Sequence, residues 1–88
     1  MLPRVVDARH AQGYRVWLKF ADGSSGEIDL TDQLSGPIFE PLRDVELFAT
    51  FRVDADLDTI TWPNGADFSP EWLLERLKSS AHSKVAAE

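Results

Sequence analysis

The fold of this chain is decided by ten residues, Trp62-Pro63-Asn64-Gly65-Ala66-Asp67-Phe68-Ser69-Pro70-Glu71. Pro63 disfavours the helical conformation at Trp62 and therefore ends a strand there. The run from Trp62 to Gly65 fits a type I turn, because proline suits its second position and glycine its fourth. Ser69 and Pro70 suit the cap and the first residue of a helix. The stretch predicts a strand end, a tight turn and a helix start.

The helix that follows is predicted over residues 70–80. Phe68, just before the cap, is expected to pack on Leu73 as a hydrophobic staple. The predicted buried stripe of the helix consists of Leu73, Leu74, Leu77 and Ala81. Residues 81–88 offer little apolar surface to bury, so we expect this tail to fray.

Upstream, the alternation of residues 14–20 predicts a half-buried strand. Its inward residues are Tyr14, Val16, Leu18 and Phe20, and its outward residues are Arg15, Trp17 and Lys19. Residues 26–30 repeat the pattern. Because register follows the buried face, the connecting loop must be odd, either Asp22-Gly23-Ser24 alone or those residues with their neighbours. We expect Leu18 to oppose Ile28, and Lys19 to oppose Glu27.

Three more strands are expected, with weaker patterns. Residues 4–11 precede a turn at Gln12-Gly13. Farther along the chain, two short strands are expected to pair across the four-residue loop 55–58. Their apolar residues are Phe51 and Val53 in one strand, and Ile60 and Trp62 in the other.

Residues 31–47 are expected to cover the sheet irregularly. Gly36, Pro37 and Pro41 break any long helix there, which leaves short helical turns around residues 38–39 and 42–45. The predicted fold class is α+β: an antiparallel four- to five-stranded sheet with one C-terminal amphipathic helix and an irregular covering segment.

Composition indicates a small soluble protein. Its 88 residues suffice for one domain, predicted over residues 1–80. There is no cysteine, which excludes disulfides and thiolate metal sites. No apolar run approaches the ~20 residues of a membrane span, and the first residues lack the apolar core of a signal peptide. We expect a cytoplasmic protein that makes no membrane contact.

The net charge of −6 is distributed unevenly. Residues 1–20 carry +3, and residues 21–72 carry −10, from twelve acidic side chains against two arginines. The basic residues of the first segment are Arg4, Arg9, Arg15 and Lys19. Polyanions are bound by clustered lysine and arginine. The acidic middle of the chain therefore argues against direct nucleic-acid binding.

Trp17 is unusual because it lies on the polar face of its strand, between Arg15 and Lys19. One interpretation is an exposed ring flanked by cations, suited to stacking on a base or binding an acidic partner. The other is burial beneath residues 31–47. The sequence leaves both open, and Arg15, Trp17 and Lys19 are candidate binding residues.

Asn64, Gly65 and Asp67 lie where a strand meets a helix N-terminus, a usual place for anion binding through backbone N–H groups. Asp67 brings its own carboxylate to this position. We expect that carboxylate to accept the N–H groups itself and to repel a phosphate. The alternative is a ligand or partner site formed by Asn64 and Asp67.

No metal or catalytic site is predicted. Asp54, Asp56 and Asp58 have the spacing that opens a calcium loop. However, Thr59 stands where that loop needs glycine, and Gly65 stands where it needs a bidentate glutamate. The two histidines are isolated, and no Ser-His-acid grouping is readable. We expect no metal ion, no cofactor and no enzymatic activity.

The opening motif resembles the signature of a small bacterial family, domain-of-unknown-function family 2442. The resemblance covers residues 4–77 and rests on Trp62-Pro63-Asn64-Gly65-Ala66-Asp67, Pro70-Glu71 and Leu74, with Asp22-Gly23, Asp29-Leu30, Gly36-Pro37-Ile38-Phe39-Glu40-Pro41-Leu42-Arg43-Asp44 and Phe48 upstream. It implies a small α+β domain, and it implies no catalytic residues because no activity is established for the family. Some members sit beside small toxin-like partners, which implies an antitoxin or interaction role. Others resemble the front half of proteins with a helix-turn-helix domain, which this sequence does not show.

These observations together predict a non-catalytic protein-interaction module, antitoxin-like in binding a small protein partner. Exposed edge strands would also allow a homodimer. Two alternatives remain. One is a regulatory accessory domain for nucleic-acid machinery, which would use the basic residues of segment 1–20. The other is a small-molecule sensor near Asn64 and Asp67.

Overall fold

Five strands form two antiparallel sheets. A computed structural model describes residues 2–86, with side chains for residues 2–79. The first sheet consists of β1 (Val5–Gln12), β2 (Arg15–Phe20) and β3 (Ser25–Asp29), in that order. The second consists of β4 (Arg52–Asp54) and β5 (Thr59–Thr61). The α+β class and the antiparallel pairing are confirmed, but two sheets replace the predicted single sheet of four to five strands.

The two sheets meet at the start of β1 without a strand ladder. The Val5 N–H donates to the Asp58 carbonyl oxygen over 2.9 Å. Between Val5 and Asp7 the register of β1 against β2 shifts. Such a bulge bends a strand and interrupts its pairing. The hairpin of β4 and β5 therefore lies beside β1 without extending its sheet.

The loop between β2 and β3 has three residues, Ala21-Asp22-Gly23. The Phe20 N–H donates to the Ser24 carbonyl over 2.7 Å, and the Gly23 N–H donates to the Phe20 carbonyl over 3.0 Å. Gly23 has a φ of 95°. A type I turn followed by a left-handed residue is the usual three-residue hairpin loop. The predicted odd loop length is confirmed.

The predicted register of this hairpin is wrong by two residues. Leu18 faces Gly26, and Lys19 faces Ser25. The loop begins one residue earlier than expected, because Gly23, with its left-handed φ, takes the last position of the three-residue loop. The Asp22 carboxylate accepts the Ser24 N–H over 2.9 Å inside this turn. Both registers keep the same side chains on the buried face, and the apolar pattern could not distinguish them.

The β4–β5 hairpin has the predicted four-residue loop, 55–58, since Asp54 pairs with Thr59 and Val53 with Ile60. The core lies between the inner face of the first sheet, this hairpin and the segments that follow each sheet. Its buried apolar side chains are Val5, Val16, Leu18, Phe20, Ile28, Leu30, Leu34, Leu42, Phe48, Ile60, Trp62, Ala66, Phe68, Leu73 and Leu77.

Residues 31–48 pack on the inner face of the first sheet. They form 3-10 turns at Thr31–Gln33 and Glu40–Arg43 and a short helix α1 (Val45–Phe48). Short helical turns are present as expected, but the turn expected around residues 42–45 is divided at Asp44, whose ψ of 111° is extended. The turn at Thr31–Gln33 was not expected. The Tyr14 hydroxyl, on the inner side of the sheet, donates to the Arg43 carbonyl. Of the two interpretations of Trp17, the one in which this segment covers the outward face and buries the ring is therefore wrong.

Helix α2 (Pro70–Ala86) crosses the inner face beside β3. The Ser69 hydroxyl accepts the Trp72 N–H over 3.3 Å, which confirms the predicted cap. Phe68 stacks on Trp72, with ring centroids 5.1 Å apart, one residue before the expected staple partner Leu73.

The backbone of α2 continues past the predicted end near residue 80. The side chain of Ala81 and residues 87–88 lie outside the described residues, so fraying of the tail stays a prediction. Neither α2 nor another described helix has the length and apolar character needed to cross a membrane.

Arg76 ties α2 to the end of β3. Its guanidinium donates to the Asp29 carbonyl over 2.9 Å and to the Asp32 carboxylate over 2.6 Å. It also lies 5.3 Å from the ring centroid of Trp72. One side chain therefore joins the helix, the strand and the turn after the strand.

Asp29 makes folding stability sensitive to acid. Hydrogen bonds from the Thr31 hydroxyl and amide, at 2.5 and 2.9 Å, hold the pKa of its carboxylate below the usual value. A lowered folded-state pKa gives stability that is present above the unfolded pKa of about 3.9 and is lost as pH falls through the folded value. Urea unfolding of wild type and Asp29→Asn from about pH 5 to pH 2.5 should show their free-energy difference narrowing below about pH 4. If the unfolding free energies of the two proteins fell in parallel with pH, the role of Asp29 in acid sensitivity would be contradicted.

Candidate functional site

The first candidate surface is the outward face of the three-stranded sheet, around Trp17. Trp17 is half-buried and does not belong to the core cluster or to the side chains packed against it. Arg9 faces it from β1, with its guanidinium 5.5 Å from the indole centroid, and Glu27 faces it from β3. The ring is therefore partly shielded by a cation–π contact and not by a covering segment.

The basic residues of this face are mostly paired with acids of the same face. The Arg15 guanidinium lies 3.0 Å from the Glu27 carboxylate and 3.8 Å from that of Asp29. Arg9 lies 3.6 Å from Asp7. Exposed pairs like these contribute little to stability, but they neutralise the charge that a polyanion would need. Lys19 is exposed and faces Ser25 and Asp7 on the neighbouring strands.

The second candidate is the Trp62–Asp67 turn, whose residues mostly have structural roles. The Trp62 indole N–H donates to the Phe48 carbonyl over 2.7 Å. The Asn64 amide donates to the Ile38 carbonyl over 2.9 Å, and its oxygen accepts the Ala66 N–H over 3.1 Å. Asn64 therefore links the turn to the 31–48 segment, which argues against a free binding role.

Asp67 is the exception in this turn. It is exposed, and its carboxylate accepts none of the hydrogen bonds found among residues 2–79. The predicted capping role of Asp67 is wrong, because Asn64 accepts the N–H inside the turn and Ser69 accepts the one at the helix start. Asp67 is thus the motif residue that is left to face solvent.

Asp67 lines an open cleft of about 610 Å³ between the turn and the β4–β5 hairpin. The cleft carries a guanidinium from Arg52 and carboxylates from Asp54 and Asp67, with Thr50, Leu57 and Thr61 also in its wall. The Asp54 carboxylate accepts the amides of Asp56 and Leu57, at 2.9 and 3.2 Å, and so closes the hairpin loop. Charges of both signs in one cleft suit a small polar ligand that carries both.

The turn gives a matched pair of predictions. Asp67→Ala is expected to change the free energy of unfolding by less than about 0.5 kcal/mol, because the side chain makes no stabilising contact. Asn64→Ala is expected to cost about 1–2 kcal/mol, because it removes one hydrogen bond to the separate 31–48 segment and one inside the turn. Urea unfolding followed by circular dichroism measures both. Equal losses would restore the capping role of Asp67.

The third candidate is the acidic surface between residues 40 and 58. It carries six acids and two arginines. The acids are Glu40, Asp44, Glu46, Asp54, Asp56 and Asp58. The ion pairs found among residues 2–79 involve Asp7, Glu27, Asp29 and Asp32 instead, so no cation within 4.0 Å neutralises this surface.

Sequence reasoning missed three features of these surfaces: the contact of Arg9 with Trp17, the convergence of Arg52 with Asp67, and the solvent exposure of Asp67. The stacking of Arg9 on Trp17 depends on the register of β1, whose pattern is weak. The convergence of Arg52 with Asp67 depends on a bridge between Thr61 and Asp67. Of these features, only the exposure of Asp67 could have been predicted from the sequence. Asn64 accepts the N–H inside the turn and Ser69 accepts the one at the helix start, so neither N–H is left for the Asp67 carboxylate.

Comparisons with known proteins identify the family and leave its function open. No curated protein and no solved structure matches the chain at a significant level. The model of a family described as "Protein of unknown function (DUF2442)" matches residues 5–79. This range contains the turn, the cleft, the acidic surface and the Trp17 face. The chain belongs to the DUF2442 family.

Proposed function

We propose that this protein is a non-catalytic interaction module that binds a small basic protein partner. The observation that supports it is the unequal pairing of charge. The arginines of the first sheet have carboxylates of their own within 4.0 Å, whereas the six acids of residues 40–58 have no cation that close within the described chain.

An uncompensated acidic surface favours a basic partner in two ways. It raises the rate of encounter with positively charged molecules, and it disfavours acidic ones. An antitoxin-like role, with a small basic toxin as the partner, is the form of this proposal that the family resemblance supports.

Capture from a native lysate tests the proposal. The tagged full-length chain should retain one stoichiometric protein at low salt, and the protein identified by mass spectrometry should be basic. Titration of the purified pair should show a dissociation constant that rises from about 50 to about 300 mM salt, as expected for attraction between exposed charges. No stoichiometric partner, or a salt-insensitive complex with an acidic protein, would contradict the proposal.

A small-molecule sensor is the second candidate, and the mixed-charge cleft favours it. Arg52 suits a carboxylate or phosphate group, and Asp67 suits an ammonium group. A thermal-shift screen of amino acids and other small zwitterions, repeated on Asp67→Ala, tests this candidate. Stabilisation of the wild type that the variant lacks would support it, and no stabilisation of either protein would count against it.

A further inference from the structure

We infer that the docking surface for the basic partner is the outward side of residues 37–46, and that the segment it binds carries apolar as well as basic side chains. We call this surface the ledge. Its exposed side chains are Pro37, Ile38, Glu40, Pro41, Arg43, Asp44, Val45 and Glu46. The inference rests on the proposed function and adds the place and the chemistry of the contact.

The ledge displays large apolar side chains that the core leaves outside. Ile38 is 44% exposed and Val45 is 41% exposed, although both belong to a segment that is otherwise anchored in the core through Leu42 and Phe48. An open hollow of about 400 Å³ in the same segment is lined by Pro37, Glu40 and Pro41. Exposed apolar groups rimmed by polar ones are typical of interaction sites.

The backbone under the ledge is held from several sides. Asn64 donates to the Ile38 carbonyl over 2.9 Å, and the Tyr14 hydroxyl donates to that of Arg43. The Trp62 indole N–H donates to the Phe48 carbonyl over 2.7 Å. Binding to a surface fixed in this way costs little conformational entropy, which favours affinity.

The charge of the ledge is negative. Glu40 and Glu46 are exposed and form no ion pair within residues 2–79. Arg43, the basic residue of this segment, is also exposed, and its Nε–H donates to the Leu34 carbonyl over 2.7 Å. The exposed carboxylates of Glu40, Asp44 and Glu46 outnumber it and leave the ledge with a net charge of −2. A partner that meets both the carboxylates and the apolar groups must combine lysine or arginine with aliphatic side chains.

The other two surfaces fit this partner less well. On the Trp17 face, Arg15 and Arg9 already lie beside acids. The cleft has one exposed aliphatic side chain, Leu57, and its two carboxylates, from Asp54 and Asp67, are set against Arg52. The ledge has two exposed aliphatic side chains and three acids against one arginine, so it offers more apolar exposure and more net negative charge.

The location of binding is tested on the full-length chain labelled with ¹⁵N. The probe is a synthetic peptide of about twelve residues that alternates lysine and leucine, and the control peptide has glutamate in place of each lysine. Amide shifts caused by the lysine peptide should concentrate in residues 37–46, and the glutamate peptide should cause none. No binding of the lysine peptide, or shifts concentrated on the Trp17 face or the cleft, would overturn the inference.

Variants with matched controls test the energetics. Ile38→Ser with Val45→Ser, and separately Glu40→Gln with Glu46→Gln, should each weaken peptide binding about tenfold, which corresponds to about 1.4 kcal/mol. Two control variants remove comparable groups outside the ledge: Leu57→Ser, and Glu71→Gln with Glu75→Gln. Each should change the dissociation constant of the peptide by less than about twofold. Circular dichroism confirms that each variant is folded. If the control variants weakened peptide binding as much as the ledge variants do, the assignment of the docking surface to the ledge would be overturned.

The same variants separate this inference from the proposed function. A lysate partner captured equally well by the wild type and both ledge variants would overturn the ledge and leave the proposed function standing. Loss of that partner from the ledge variants alone would support the ledge. Failure of the wild-type chain to capture any partner would contradict the proposed function itself.

Discussion

Trp62→Ala is expected to remove about a third or more of the free energy of unfolding of the protein. Trp62 is 3% exposed and contacts the rings of Phe48, Phe51 and Phe68 at centroid distances of 5.6–5.7 Å. Removing a buried tryptophan costs about 3–5 kcal/mol. A domain of this size has roughly 5–10 kcal/mol of stability in total. Urea unfolding followed by circular dichroism measures the loss.

Trp17→Ala is the matched control, because it deletes the same side chain from outside the core. Its expected cost is about 1 kcal/mol, from a half-buried ring and one cation–π contact. Trp62→Phe isolates the hydrogen bond, since it keeps an aromatic ring but leaves the Phe48 carbonyl without the indole donor. That variant should cost about 1–3 kcal/mol. Equal losses for Trp17→Ala and Trp62→Ala would contradict the assignment of Trp62 to the centre of the core.

Gly26→Val is expected to give the second large loss, about 1–3 kcal/mol, by pushing α2 away from β3. A Cβ atom on Gly26 would lie 2.8 Å from the Leu77 Cδ1 atom. The helix approaches the sheet closely at Gly26 because no side chain stands between them. The free energy of unfolding in urea and the near-ultraviolet circular dichroism of the aromatic cluster measure the effect.

Ser25→Val is the control for strand propensity, because Ser25 is the exposed neighbour on the same strand. It should be neutral or slightly stabilising. In the double variant, Leu77→Ala should offset part of the Gly26→Val loss, since it removes the atom that clashes. The offset is partial because Gly26 has a φ of 157°, a conformation that is strained for any residue other than glycine at this position. Fully additive losses would show that contact with Leu77 is not the cause.

The sequence predicted the elements of the fold better than their arrangement. The inward run Val16, Leu18 and Phe20 and the four-residue loop of the second hairpin depend on local alternation, and both are confirmed. The register of β2 against β3 was wrong because it depends on where the Asp22 turn begins, and alternation is the same in both registers. Division into two sheets depends on a bulge near Val5, for which the sequence gives no sign.

The candidate sites were harder to predict because they depend on contacts between distant segments. The sequence makes Asn64 a candidate binding residue, but its amide donates to the Ile38 carbonyl, 26 residues away in sequence. The sequence does not determine whether Trp17 is buried or exposed, because that depends on the face of the sheet on which residues 31–48 pack. Contacts of Tyr14 with Arg43 and Phe48 place this segment on the inner face, opposite Trp17. The uncompensated acids of residues 40–58 were visible in the sequence, whereas the pairing of Arg15 with Glu27 required the register.

Strand order has a consequence for synthesis on the ribosome. Each ladder in the described chain joins strands that are consecutive in sequence. Hairpins form in about 1–10 μs, whereas translation adds about 5–20 residues per second. Each hairpin can therefore be complete before the next leaves the exit tunnel. The ledge is different, because the donors on Trp62 and Asn64 that fix its backbone are made after it. The surface proposed for the partner is thus finished late in translation, after both strands of the second hairpin have been made.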